Sequence, residues 1–248
     1  MLKKTVVLIP ARYNSSRFPG KPLAMIQGKS MIQRVYENCK LSGFECAVVT
    51  DDERIEKHVK DFGGNAVRIN DDVPSGSERI ALAFERFYKK DQFEIVINVQ
   101  GDEPLLNGEV LRELSSFHAQ SDYDIATLIR PRMSDEKDFT NPNVVKAVYC
   151  EDSKKCLYFS RASLPFFRDN ETSYQWYQHI GVYSYKAEAL ERFIKLPESK
   201  LENLERLEQL RALENQMNIG AIISTQKLVG VDVPEDIKKV EEVLSEQK

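Results

Sequence analysis

Thr5-Val6-Val7-Leu8-Ile9-Pro10-Ala11-Arg12-Tyr13-Asn14-Ser15-Ser16-Arg17-Phe18-Pro19-Gly20-Lys21-Pro22 begins as an apolar, β-branched run and ends as a basic loop. The apolar half reads as a buried strand. The loop then sets Arg12, Arg17 and Lys21 at the strand's carboxyl end, where ligands collect in open α/β sheets. It has neither the GxxxxGK[ST] order nor the GxGxxG order that lets backbone amides cradle phosphate, so cationic side chains must do that work. Pro19, Gly20 and Pro22, set around Arg17 and Lys21, give the loop a fixed path. The stretch therefore predicts an α/β fold with a polyphosphate site at its first strand.

Outward from this loop, strand-like runs at 6–9, 47–49, 66–69 and 95–99 alternate with helical periodicity near 30–42, 52–62 and 77–90. This is the βαβ pattern of a parallel sheet. The run 95–99 is apolar nearly throughout and predicts a central strand covered on both faces. Between about 124 and 185 strand-like pieces follow one another with few helices, which predicts an inserted antiparallel layer. Helix is expected again at 186–195 and 200–217, strand at 219–224, and a charged helix from about 234. The expectation is one domain over 1–248, Rossmann-like, with a mainly parallel central sheet and an inserted strand layer.

Composition narrows the function. The 248 residues are 42% hydrophobic, enough for a core of ordinary size, and carry 35 basic against 39 acidic side chains. A net charge of -4 disfavours a nucleic-acid or anionic-membrane surface. No apolar stretch approaches the roughly 18 residues of a bilayer span, and Lys3-Lys4 leads straight into a strand, so a cytoplasmic protein is expected. Cys39, Cys46, Cys150 and Cys156 lack CxxC spacing and read as reduced thiols, and three histidines make a zinc site improbable.

Several short segments carry chemistry. Gln100-Gly101-Asp102-Glu103-Pro104 ends the central strand, so Asp102 can reach the space of the basic loop. A carboxylate beside a triphosphate needs a cation between them, and Mg²⁺ takes oxygen from one or two carboxylates and from phosphates. The competing reading is a simple turn. Asp232 precedes the last helix, where Asp232 with Glu235 matches a capping box; so do Thr50 with Glu53 and Ser75 with Glu78. Ser75-Gly76-Ser77-Glu78-Arg79 opens a helix whose amides favour an anion or a ribose hydroxyl, and Arg79 exceeds what capping needs.

In the later half, Glu208 falls in helical register with Leu204 and Leu201 and should lie on an apolar face. A partner is then required, and two remain open: Arg211 at i+3, or a polyol hydroxyl. Strand alternation puts His179, Gly181 and Tyr183 on one face, and Arg161 has the fork that grips a carboxylate. Taken singly, each aromatic is read as packing.

In order, the segments IPARYNSSRFPGKPL, SGSER, NVQGDEP, YFSRASLP, HIGVYSY, LEQLRALE and GVDVPED resemble the 3-deoxy-manno-octulosonate (Kdo) cytidylyltransferase family over essentially the whole chain. The resemblance implies transfer of a cytidylyl group from CTP to the anomeric hydroxyl of Kdo, with release of pyrophosphate, for the lipopolysaccharide inner core. It further implies nucleotide contacts from Pro10, Ala11, Arg12, Arg17, Lys21, Ser75, Arg79 and Gln100. Sugar contacts are implied for Gln100, Arg161, His179, Tyr183, Glu208 and Gln209, Mg²⁺ on Asp102 and Asp232, and a homodimer paired through the inserted strands. Catalysis would fall to Lys21 and Arg17 with the two metal-binding aspartates. Ser77 and Val233 stand where threonine is usual in the family. The 8-amino analogue of Kdo is an alternative substrate, as is another acidic sugar such as neuraminate. More distant alternatives are a nucleotide-sugar glycosyltransferase and a catalytically silent nucleotide-binding protein. Retention of both Lys21 and Asp102 argues against the last.

Overall fold

The computed structural model describes residues 4–14, 18–88, 92–168, 173–226 and 228–246. Chain contacts divide the protein into two compact units, one formed by 1–115 with 226–248 and the other by 116–225. The sequence led us to expect a single domain with a layer confined to about 124–185. The second unit is larger than that layer because helices and a further strand fold onto it.

In the first unit, strands β1 (Thr5–Ala11), β4 (Glu45–Thr50), β5 (Ala66–Arg68) and β6 (Ile95–Val99) form a parallel sheet in the order β5-β4-β1-β6. A short hairpin of β2 (Met25–Ile26) and β3 (Lys29–Ser30) follows the basic loop. Every residue of β1 and β6 is buried, as their nearly continuous apolar runs require. Helices α1 (Met31–Lys40), α2 (Glu53–Asp61) and α3 (Gly76–Phe87) make the crossovers. Helix α4 (Gly108–Gln120), which our periodicity reading overlooked, starts where the Asn107 Oδ1 accepts the Glu109 N–H at 2.8 Å. The last helix, α8 (Asp236–Glu246), returns to this unit and packs Val240 with Ile26, Met31 and Val231. That small core anchors the residues just before α8 beside the β2–β3 hairpin.

The second unit is built on β10 (Gln175–Lys186), which runs antiparallel to β7 (Ile125–Met133). Strand β11 (Ile219–Ile223) joins β7 in parallel, and β8 (Lys146–Cys150) pairs antiparallel with both β9 (Lys155–Ser160) and β10. Gly220 meets Lys155, so the pairings close a circuit of five strands. The layer is thus mixed. Helices α5 (Ala187–Lys195), α6 (Lys200–Glu205) and α7 (Gln209–Glu214) complete the unit.

The helix expected over 200–217 is two helices. Leucines three apart drift around a helix and cannot share one buried face. The break at Arg206, whose φ is +53°, buries Leu207 and Leu210 and leaves Leu204 70% exposed. The apolar register proposed for Glu208 therefore does not exist; Glu208 precedes the first turn of α7. A second correction concerns β10, where a bulge between Ile180 and Tyr183 interrupts simple alternation. The Thr127 hydroxyl closes the bulge by donating to the Val182 carbonyl at 2.7 Å. All four cysteines are free, and no helix among the described residues is long and apolar enough to cross a membrane.

Candidate active site

Beyond the end of β1 lies a cavity of about 390 Å³ lined by Pro10, Ala11, Arg12, Asn14, Lys21, Pro22, Gly76, Gln100, Gly101 and Asp102. The basic loop, the start of α3 and the turn after β6 meet here because β1 and β6 are parallel neighbours. Gly101 permits the approach: a Cβ on it would sit 3.0 Å from the Pro10 carbonyl oxygen. A second cavity of about 400 Å³ shares Arg12 and Asn14 and extends to Asp51, Asp52, Asp72 and Arg79.

Lys21 and Asp102, 81 positions apart, join at 2.6 Å, and the same ammonium donates to the Val231 carbonyl at 2.9 Å. The Val231 N–H in turn donates to the Asp102 carbonyl at 3.0 Å, which ties the segment before α8 to this turn. Asp232 is close enough to raise the Glu103 carboxyl electrostatically. Burial, with Asp102 and Asp232 adding to it, pushes Glu103 up to about 8 against the pull of Lys21. Glu103 Oε2 is enclosed without a hydrogen-bond partner among the described residues, and a Cβ on Gly230 would come within 3.3 Å of its other oxygen. Glu103 escaped the sequence reading, which gave it no role.

Arg12 donates to the carbonyls of Val73 at 2.6 Å and Pro74 at 3.3 Å, so its guanidinium is fixed to the loop before α3. Ser75 caps α3 as expected, its hydroxyl accepting the Glu78 N–H at 3.1 Å. Arg79 is 2% exposed, pairs with Asp51 at 2.8 Å and donates to the Ile69 carbonyl at 2.5 Å. Burial lowers the Arg79 pKa while Asp51 works against that. The Thr50 capping expectation fails. Asp52, not Thr50, caps α2, and ahead of α8 it is Asp236 Oδ2 that gathers the N–H groups of Asp232 at 3.1 Å and Val233 at 3.2 Å. Arg17, expected on the phosphates, lies outside the described residues.

This donor set suits Mg²⁺. It consists of hard oxygens, an ammonium already stands against Asp102 and the Val231 carbonyl, and an enclosed carboxylate lies next to two others. No group of three or more acidic, histidine or cysteine side chains among the described residues is gathered to hold a metal by itself. Mg²⁺ needs only one or two carboxylates when phosphates complete its shell.

In the second unit, two of the expected sugar-side residues, His179 and Gln209, are buried and uncharged, and Tyr183 joins them with Glu208 close enough to act on it electrostatically. His179 is 8% exposed, shares a hydrogen bond of 3.0 Å with Thr127 through Nε2, and burial lowers its pKa to about 3. Its ring lies 5.4 Å from that of Tyr183, so the two stay neighbours despite the bulge. Burial pushes the Tyr183 phenol well above its usual range, with Tyr185 and Glu208 adding to the effect. The Tyr183 hydroxyl donates to Gln209 Oε1 at 3.1 Å, and Gln209 Nε2 is buried without a hydrogen-bond partner among the described residues. Arg161 differs from expectation. Its guanidinium is engaged by the carbonyls of Glu205 at 2.7 Å, Pro142 at 2.9 Å and Arg206 at 3.3 Å. Arg211 forms a two-point pair with Glu202 at 2.8 and 2.6 Å, across the helix break.

The cytidylyltransferase family pattern matches residues 6–219. A 3-deoxy-manno-octulosonate cytidylyltransferase of Thermodesulfovibrio yellowstonii is 42% identical over 252 residues, covering 97% of this chain and 98% of its own. An 8-amino-3,8-dideoxy-manno-octulosonate cytidylyltransferase of Shewanella pealeana is 46% identical over 237 residues, covering 94% and 95%. The solved structure of a CMP:2-keto-3-deoxy-manno-octonic acid synthetase complexed with CTP superposes with a TM-score of 0.89 at 36% identity, over 99% of this chain and 100% of that one.

Proposed function

This chain belongs to the cytidylyltransferase family, and from that premise we propose that it transfers the cytidylyl group of CTP to the anomeric hydroxyl of Kdo or of 8-amino-Kdo, releasing pyrophosphate. Relatives carrying each of the two sugar names support both substrates. The observation that carries the reading is the convergence of Lys21, Asp102 and the Val231–Asp232 segment beside the cavity at the end of β1.

The reaction is an in-line displacement at the α-phosphorus, and positioning with charge neutralisation dominates it. Arg12, held by two carbonyls, offers a fixed fork to the phosphates. The amino end of α3 adds backbone donors at the same edge. Lys21 exchanges Asp102 for phosphate oxygen and stabilises the negative charge that grows there during transfer. Asp102 and Asp232 would hold Mg²⁺, which when bound neutralises the phosphates and lowers the pKa of a coordinated hydroxyl. On the sugar side, His179 stays neutral at physiological pH and acts as a hydrogen-bonding group, while Gln209 and Tyr183 offer amide and phenol to hydroxyls. The same reading makes the enzyme a cytoplasmic homodimer paired through the second unit's strands, where Leu157 on β9 is 55% exposed; light scattering tests the dimer.

Pyrophosphate release from CTP, followed side by side with Kdo, 8-amino-Kdo and neuraminate, tests the assignment. Rapid release with Kdo or 8-amino-Kdo is expected. Release with none of them, or with neuraminate alone, would refute it.

A further inference from the structure

Lys146, at the start of β8, is fully buried, and its ammonium donates to three backbone carbonyls: Asn141 at 2.8 Å, Val144 at 2.7 Å and Arg161 at 2.9 Å. A buried cation is costly to hold with neutral acceptors alone. What this one gains is geometry, because it pins the loop before β8 to the end of β9.

The end of β9 is joined in turn to the end of α6. Glu205 accepts the Ser160 hydroxyl at 2.6 Å and the Arg161 N–H at 3.0 Å, while the Arg161 guanidinium closes the last carbonyls of α6. Those carbonyls lead into Arg206, the left-handed residue at which the chain turns towards α7. Gln209 is the first residue of α7. It is 4% exposed, and its place against Tyr183 is set by where that turn ends. Neither Lys146 nor Glu205 has a hydrogen bond to Gln209 or Tyr183; both reach them through Arg161 and the helix break.

We propose that Lys146 and Glu205 are positioning residues for the sugar-binding amide of Gln209, acting through the Arg161 clamp on the α6–α7 break. The inference rests on the reading that Gln209 and Tyr183 receive the acidic sugar. It predicts a defect confined to sugar affinity, since the clamp lies within the second unit and the nucleotide residues belong to the first.

The test uses the full chain with Lys146→Met, Glu205→Gln and each combined with Gln209→Ala, under saturation kinetics for CTP and for the sugar that wild type turns over. The sugar KM should rise at least tenfold in each single variant, with the CTP KM within twofold of wild type. Adding either change to Gln209→Ala should raise the sugar KM little further, because the amide they position is gone. An unchanged sugar KM, an equal rise in both constants, or full additivity with Gln209→Ala would overturn the inference. Should Lys146→Met fail to fold, Glu205→Gln decides alone, as it alters one half-buried carboxylate. Loss is distinguishable at its source: an inactive wild type sinks the functional reading and this with it, whereas an active wild type with unaffected variants sinks the positioning role only.

Discussion

Around Lys21 the polar groups are charged and partly open to water, whereas Gln209 and His179 are uncharged and enclosed. Lys21 and Asp102 keep 16% and 29% of their side-chain surface, while Gln209 and His179 are 4% and 8% exposed as whole residues. The difference matches the ligands proposed for each. Partly hydrated charges can change partners when a multiply charged phosphate chain arrives, because the lost ion pair is replaced at once. Buried neutral groups cannot be rearranged cheaply, so they suit a polyol whose hydroxyls must find donors and acceptors already in place.

The largest break in this comparison should come from Asp102→Asn or Lys21→Ala. Each removes one charge from the phosphate-side cluster, and turnover should fall by about two to four orders of magnitude while the fold is kept. Single-turnover pyrophosphate release checks it, and near-normal rates would remove these residues from the chemistry. Gly101→Ala should act next. Its Cβ would press on the Pro10 carbonyl at 3.0 Å, costing about 1–3 kcal/mol in stability and shifting Asp102 away from Lys21. Denaturant unfolding together with turnover measures both effects, and an unperturbed variant would mean the turn adjusts freely.

Much of the first unit was legible because strand burial and loop charge are local signals. The run from Thr5 to Lys21 announced its own strand and its own cations, and Asp102 followed from its place after a buried strand. Glu103 was not legible, since its raised pKa arises first from burial, with neighbouring Asp102 and then distant Asp232 adding to it. The second unit resisted for the same reason. Lys146 looks like any strand lysine until the carbonyls of residues 141, 144 and 161 close around it. Leucine spacing set Glu208 on an apolar face of one helix, and only tertiary packing revealed that the helix breaks at Arg206.

A smaller effect sharpens the contrast between charged and neutral regions. His179 titrates near its usual 6.5 when unfolded and at about 3 when folded, so between those values the unfolded chain holds the extra proton. Its contribution to stability is therefore complete above pH 6.5 and declines as pH falls towards 3. The loss should be roughly 1 kcal/mol per pH unit. Wild type should destabilise faster than His179→Gln on acidification from pH 6.5 to 4.5, as measured by urea unfolding. Parallel curves would place the imidazole in a more hydrated setting than its burial indicates.

The division between the hydrated charges at Lys21 and Asp102 and the enclosed, uncharged Gln209 and His179 is tested most directly by saturation kinetics of Gln209→Ala with CTP and the sugar varied independently. The account predicts a sugar KM raised about tenfold or more, as expected when a buried hydrogen bond is lost, and a CTP KM that does not move. A CTP KM that rises in step with the sugar KM would contradict it.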